Sequence, residues 1–358
     1  MINKNITRRG FAGALGLGAM AALAGCGGSG GETAVDEELK ATMVTDTGGI
    51  HDQSFNQLAW AGLEQLEAEG DWKVGYLESH QESDYVTNLD KAVDDGCRII
   101  WGIGFAMGEA INNVAEQNPD CQFAIIDSTN DRDLPNLIGV VFRAQEPSFV
   151  VGYIAANMSS SGKVGFVGGM KSELIDQFEY GYYAGIEYAN KKKGLKVTYQ
   201  GQYAESFTDS AKGKSIAQKM IQDGCDVLFH AAGGTGVGML DACKEAGVKS
   251  IGVDQDQSLV RTDDKSIITS ALKRVDTAVV NVSHGVVDGT IDSGSNVAMG
   301  ATEGAVGIPD NIIHDGETEP RLPDALYDEA LDLFEQIKDG TIVVPDNQEK
   351  FNEFVKTI

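Results

Sequence analysis

Asp95-Gly96-Cys97-Arg98-Ile99-Ile100 and Asp223-Gly224-Cys225-Asp226-Val227-Leu228 are two copies of one pattern in a single chain. Each reads as a glycine turn followed by apolar residues, which predicts a buried strand. The likeness continues outward. Upstream, Ser54-Phe55-Asn56-Gln57-Leu58-Ala59-Trp60-Ala61-Gly62-Leu63-Glu64 aligns with Gln177-Phe178-Glu179-Tyr180-Gly181-Tyr182-Tyr183-Ala184-Gly185-Ile186-Glu187. Downstream, each strand runs into a glycine-rich turn, Gly102-Ile103-Gly104 or Gly233-Gly234-Thr235-Gly236. A helical stretch follows, then a strand ending in aspartate, Ile126-Asp127 or Val253-Asp254. Matches in the same order at similar spacing make an internal repeat: one α/β unit used twice.

The wider pattern agrees. Strand-like runs at 41–44, 73–77, 98–102, 123–127, 164–168, 197–200, 227–231 and 250–254 alternate with helical patterns such as 58–69 and 87–95. That alternation predicts an α/β fold with two similar parallel-sheet lobes. Ligands of such sheets bind beyond the carboxyl ends of the strands, so two facing lobes form a cleft that can close on a solute. The first crossing between lobes is expected between Phe142 and Gly162, along a helix over 147–158. A strand over 267–271 is expected to return to the first lobe. The expected organisation is therefore 39–155 with about 268–305 as the N-terminal lobe, and 160–267 with about 306–358 as the C-terminal lobe.

Residues 1–25 read as a signal peptide. Lys4, Arg8 and Arg9 form a positive start, and an apolar, Gly/Ala-rich run from Phe11 to Ala24 follows. That run is short for a membrane span. It ends in Leu23-Ala24-Gly25-Cys26, which resembles the lipobox of bacterial lipoproteins and makes Cys26 the expected lipidation site. Thr7-Arg8-Arg9-Gly10-Phe11 resembles a twin-arginine export signal, although paired arginines also serve an ordinary secretory leader. Residues 26–38, rich in Gly, Ser and acid, read as a flexible tether. The expected location is outside the cell membrane, held by lipid.

The formal net charge is −26, and the leader holds three of the bases and no acid. A surface this acidic repels phosphate backbones, which excludes nucleic acid as a partner. Cys97, Cys121, Cys225 and Cys243 form no C-x-x-C pair and read as small buried thiols. Enzyme signatures are missing. Gly234-Thr235-Gly236-Val237-Gly238 has the spacing G-x-G-x-G, not the dinucleotide G-x-G-x-x-G. The five histidines form no i, i+4 metal pair, and no Walker A or G-x-S-x-G sequence occurs. The chain is expected to be no enzyme and to need no cofactor or metal.

Several motifs together resemble the basic membrane protein family of lipoproteins, the substrate-binding components of nucleoside ABC importers. They are Asp46-Thr47-Gly48-Gly49 with Asp52-Gln53-Ser54-Phe55-Asn56-Gln57, Gly168-Gly169-Met170, Ala231–Gly236, Gly252-Val253-Asp254-Gln255-Asp256 and Thr269–Asp276. The resemblance implies a type I periplasmic-binding-protein fold, a nucleoside ligand with purines favoured, and permease and ATPase partners. One cleft per chain predicts a monomer as the working unit. It implies that Phe55 and Phe178, each expected at a helix start, stack on the base. It assigns Asp46, Asp254 and Lys273 to the ribose, Gly234 to close backbone approach, and Asp127 to the base edge. Lys273 is expected to keep Asp46 and Asp254 ionised. Asp46 and Asp127 also fit helix N-caps, and Asn56 fits either ligand contact or loop ordering. A sugar or autoinducer binder of the same fold, or a ligand sensor, remains the alternative.

Overall fold

The computed structural model describes residues 39–358. The leader, Cys26 and the tether lie outside the described residues. The first sheet takes β1 (Leu39–Val44), β2 (Trp72–Leu77), β3 (Ile99–Ile103), β4 (Phe123–Ile126) and β5 (Leu137–Phe142). The second takes β6 (Lys163–Gly168), β7 (Thr198–Tyr203), β8 (Val227–Ala231), β9 (Lys249–Asp254) and β10 (Ile267–Lys273). A late strand completes each: β11 (Asn296–Met299) and β12 (Val306–Gly307). The orders are β11-β5-β4-β3-β1-β2 and β12-β10-β9-β8-β6-β7, the same arrangement twice. All pairings are parallel except β10 with β12.

Burial explains the strand sequences. Every residue of β3, β4 and β8 is buried, because helices cover both faces of a parallel sheet. Such strands read as unbroken apolar runs. The edge strands β2 and β7 carry polar and aromatic residues that are only partly covered.

In the first lobe the helices are α1 (Phe55–Glu69), α2 (Asp84–Asp94) and α3 (Gly108–Gln117). The chain then runs through α4 (Gln145–Met158), α5 (Glu173–Lys193), α6 (Ser210–Gln222), α7 (Gly233–Ala246) and the single turn α8 (Gln257–Val260). It continues through α9 (Val275–Asp288), α10 (Asp324–Lys338) and α11 (Gln348–Thr357). The 21-residue α5 is built to stand: the Ser172 side chain accepts from the Ile175 amide, acids fill its first turn, and Lys191, Lys192 and Lys193 fill its last.

Two expected boundaries move. The strand expected to return to the first lobe stays in the second, where β10 runs parallel to β9 with Ser270 opposite Gly252. Its place is the counterpart of β5 beside β4, so the repeat extends one strand further than the sequence matches. The crossing comes after Lys273: α9 packs on α1 and β11 joins β5. The second correction is α4, which belongs with the second lobe and not with 39–155. It lies along α5 and against α10. A side chain at Gly152 would strike the Tyr182 carbonyl, and one at Gly185 the Phe149 carbonyl. Only glycine allows two helices this close.

The four remaining cysteines are free thiols, three of them buried. Among the described residues no helix is long and apolar enough to cross a membrane.

Candidate functional site

Both sheets have the doubly wound order in which the first strand sits between the second and third, and ligand crevices open at the carboxyl ends of such strands. Asp46 follows β1, Asp127 follows β4, Asp254 ends β9, Lys273 ends β10, and Gly234 lies in the turn of α7 that follows β8. These ends face one cavity. All eight residues picked from the sequence line it: Asp46, Phe55, Asn56, Asp127, Phe178, Gly234, Asp254 and Lys273.

Phe55 is the first residue of α1, as expected. Phe178 is not at a helix start; it lies in the second turn of α5, whose first residue is Glu173. The repeat alignment paired the rings but not the helix ends. Both rings reach the cavity, Phe178 almost fully buried and Phe55 partly so. Lys273 sits between aromatic faces, its Nζ 4.6 Å from the Phe55 centroid, 5.3 Å from Phe142 and 5.8 Å from Phe178.

The aspartates differ in their partners. Asp46 Oδ1 accepts from the Gly48 amide and Asn56 Nδ2, each at 2.8 Å. It shapes a turn and caps no helix. Asp127 caps none either: its Oδ2 accepts from Lys273 Nζ at 2.5 Å, and its Oδ1 is buried without a partner. The Asp254 carboxylate accepts the Ser54 hydroxyl, a bond from first lobe to second. Asp127 and Asp254 share a left-handed backbone, with φ of 64° and 65°, which aspartate tolerates better than most residues. The repeat thus extends to backbone conformation. Asn56 orders the loop by giving Nδ2 to both Asp46 and Asp52, while its Oδ1 is buried and free.

Lys273 was expected to hold Asp46 and Asp254 ionised, and here the structure differs. Its partner is Asp127. Burial pushes Asp46 up to about 6, against hydrogen bonds from Gly48 and Asn56, and Asp52 and Asp127 nearby add to the rise. Burial likewise pushes Asp254 up to about 6, with the Lys273 charge and the Ser54 hydroxyl opposing it. Desolvation outweighs one shared cation.

That shift gives a stability test on the ligand-free protein. A carboxyl raised from 3.8 to about 6 costs stability as pH climbs through that window, and the cost is constant above it. Asp254→Asn, which mimics the protonated form and keeps an acceptor for Ser54, should raise stability at pH 8 by about 2–3 kcal/mol. The gain should fall to about half of that by pH 5. Denaturant unfolding at both values checks it; an equal effect at both would contradict a raised carboxyl.

Some lining residues escaped the sequence reading. Asp52 is buried and accepts from the amides of Ser54, Asn56 and Gln57, so it organises the start of α1. Its place in the Asp52–Gln57 motif was the available signal. Phe105 and Phe207, one per lobe, meet edge to face at 6.2 Å on the cavity wall. Phe105 follows a recognised glycine turn, but nothing local marks Phe207.

Comparison with known proteins agrees with this architecture. The family model described as "ABC transporter substrate-binding protein PnrA-like" matches residues 39–348. The "ABC transporter nucleoside-binding protein BmpA" of Lactococcus lactis subsp. cremoris is 36% identical over 355 residues, covering 93% of this chain and 97% of that protein. "Basic membrane protein A" of Borreliella burgdorferi is 36% identical over 332 residues, covering 91% and 94%. An ABC transporter solute-binding protein of Aeropyrum pernix has a solved structure that superposes with a TM-score of 0.78 at 29% identity, covering 89% of this chain and 96% of that one. The chain belongs to this family of ABC transporter substrate-binding proteins, and it is not an enzyme.

Proposed function

We propose that this member of the family captures nucleosides, purine nucleosides foremost, outside the cell membrane and delivers them to an ABC import permease. The carrying observation is the composition of the cavity: aromatic rings from opposite lobes, Phe55 and Phe178, beside buried carboxylates and one ammonium. A base needs flat apolar faces, and ribose hydroxyls donate well to fixed carboxylates. Asp46 and Asp254 are the groups for the ribose. Asp127, oriented by Lys273, presents its free Oδ1 to an N–H of the base. A relative named as nucleoside-binding supports the same reading.

The direct experiment is mass spectrometry of the small molecule that survives purification of the chain without its leader and Cys26. A purine nucleoside is expected; a sugar would favour the alternative ligand class. Calorimetry tests the stacking. Phe55→Ala and Phe178→Ala should each weaken nucleoside binding by about 1–3 kcal/mol, the scale of a base on an aromatic ring. Phe178 is 3% exposed, so its variant needs an unfolding control. Unchanged affinity in both variants would reject the sandwich.

Attachment through a lipid on Cys26 belongs to the same proposal. Two acyl chains on one residue suffice for stable anchoring. Cys26→Ala should therefore release the protein from membranes or leave it unprocessed. Persistence of a chain that has lost its leader in the membrane fraction after a carbonate wash would count against the lipid anchor.

A further inference from the structure

We infer that Gln257 is the positioning residue that holds the ligand-facing loop Asp52–Gln57 of the first lobe against the second. The inference rests on reading the cavity as the ligand site, because that loop carries Phe55 and Asn56.

The geometry is a relay in which every hydrogen-bonding direction is assigned. Gln257 is fully buried. Its Oε1 accepts from the Val253 amide at 3.0 Å and lies 2.9 Å from Nε2 of His230. An amide oxygen only accepts, so the His230 proton is on Nε2. His230 Nδ1, buried without a partner, is then the bare lone pair of a neutral ring. Burial holds this histidine down at about 4, so it stays neutral near pH 7. With both lone pairs of Oε1 in use, the Gln257 amide has one orientation. Its Nε2 donates to the Gln53 carbonyl across the cleft at 3.0 Å.

Two glycines make room for this relay. A Cβ on Gly236 would overlap the His230 ring, and one on Gly252 would stand 2.8 Å from Gln257 Oε1. The Gln257 backbone N–H is tied as well, donating to Ser270 Oγ at 3.2 Å. All these groups belong to the second lobe, so the donor is aimed before the first lobe arrives. What it receives is costly to hold: Gln53 has a φ of 56°, a left-handed backbone in a residue with a side chain. The next residues are Ser54, which donates to Asp254, and then the ligand-facing Phe55 and Asn56. Fixing the Gln53 carbonyl therefore fixes the entry into α1 on which both site residues ride.

Gln257→Glu in the full chain tests this. The carboxylate keeps an oxygen for the Val253 amide and His230 but sets a second acceptor against the Gln53 carbonyl. Gln257→Met removes the donor without adding charge. In the ligand-free state both variants should speed hydrogen exchange at the amides of Ser54, Asn56 and Gln57 by about tenfold or more, with β4 amides unchanged. Adenosine or guanosine should then dissociate about tenfold faster, with association within about threefold of the original, as expected when a bound state is held less firmly. Unchanged exchange in the loop, or equal acceleration throughout both lobes, would overturn the positioning role. The exchange readout needs no ligand. Failure of the unsubstituted protein to bind either nucleoside would thus overturn the proposed ligand while leaving the exchange result to decide on Gln257.

Discussion

Lys273→Met should cost about 3–5 kcal/mol of stability at neutral pH, the usual loss when one member of a buried ion pair is removed. The sequence alone suggests a milder outcome, a fold left intact and a ligand site weakened, because the partners it offers the lysine are the ligand and the cleft carboxylates. The structure gives Lys273 2% exposure and one direct partner, Asp127, itself buried. Without the ammonium, Asp127 must stay charged in an apolar setting or take up a proton. Burial already raises its carboxyl, and Lys273 is what lowers it, so the substitution raises it further. Protonation relieves the buried charge. The deficit should therefore be largest above pH 7 and shrink as pH falls toward 5. The double variant Lys273→Met with Asp127→Asn should lose less than the sum of the single losses, because neither partner is then left charged alone. Urea unfolding of the four proteins at two pH values measures this. Additive losses that do not change with pH would mean that the pair contributes nothing as a pair.

Much of this architecture is legible in the sequence because it depends on local chemistry. Strand β8 has the same bounds, 227–231, in the sequence reading and in the structure. A fully buried parallel strand is an unbroken apolar run, and a glycine turn announces it. The aspartates at the ends of β4 and β9, Asp127 and Asp254, were legible as a repeated strand ending. What local pattern could not decide is which lobe an element joins. Strand β10 and helix α4 have ordinary sequences for their type. Their placement follows from a strand order and from glycine contacts that exist only after folding. The repeat did hold the answer for β10, since β5 stands in the same place in the first sheet. Lys273 was found, but its partner was not: the two residues are 146 positions apart, and four carboxylates compete for the role. Phe207 lies in the loop between β7 and α6, and the matching loop between β2 and α2, 78–83, holds no phenylalanine, so neither periodicity nor repeat pointed to it.

Adenosine or guanosine should bind at least about 3 kcal/mol more tightly than the matching 5′-monophosphate, the scale of a buried charge without a partner. The cavity wall carries four carboxylates, Asp46, Asp52, Asp127 and Asp254, and one ammonium already paired with Asp127. No arginine is among its lining residues. One feature does favour an anion. The N-terminus of α7 opens onto the cavity at Gly233 and Gly234. A helix end contributes about 0.3–1 kcal/mol toward a nearby negative charge, and about 2 in a favourable buried setting. A phosphate near pH 7.5 brings close to two charges, and each must leave water. Asp46 and Asp254, at about 6, are mostly ionised at that pH and repel it further. The unfavourable side wins, and a difference of that size is more than a hundredfold in affinity. Competition calorimetry with each nucleoside and its monophosphate at pH 7.5 measures it. Equal affinities would mean that the phosphate stays in solvent or meets a cation elsewhere, and this arrangement of the site would have to be abandoned.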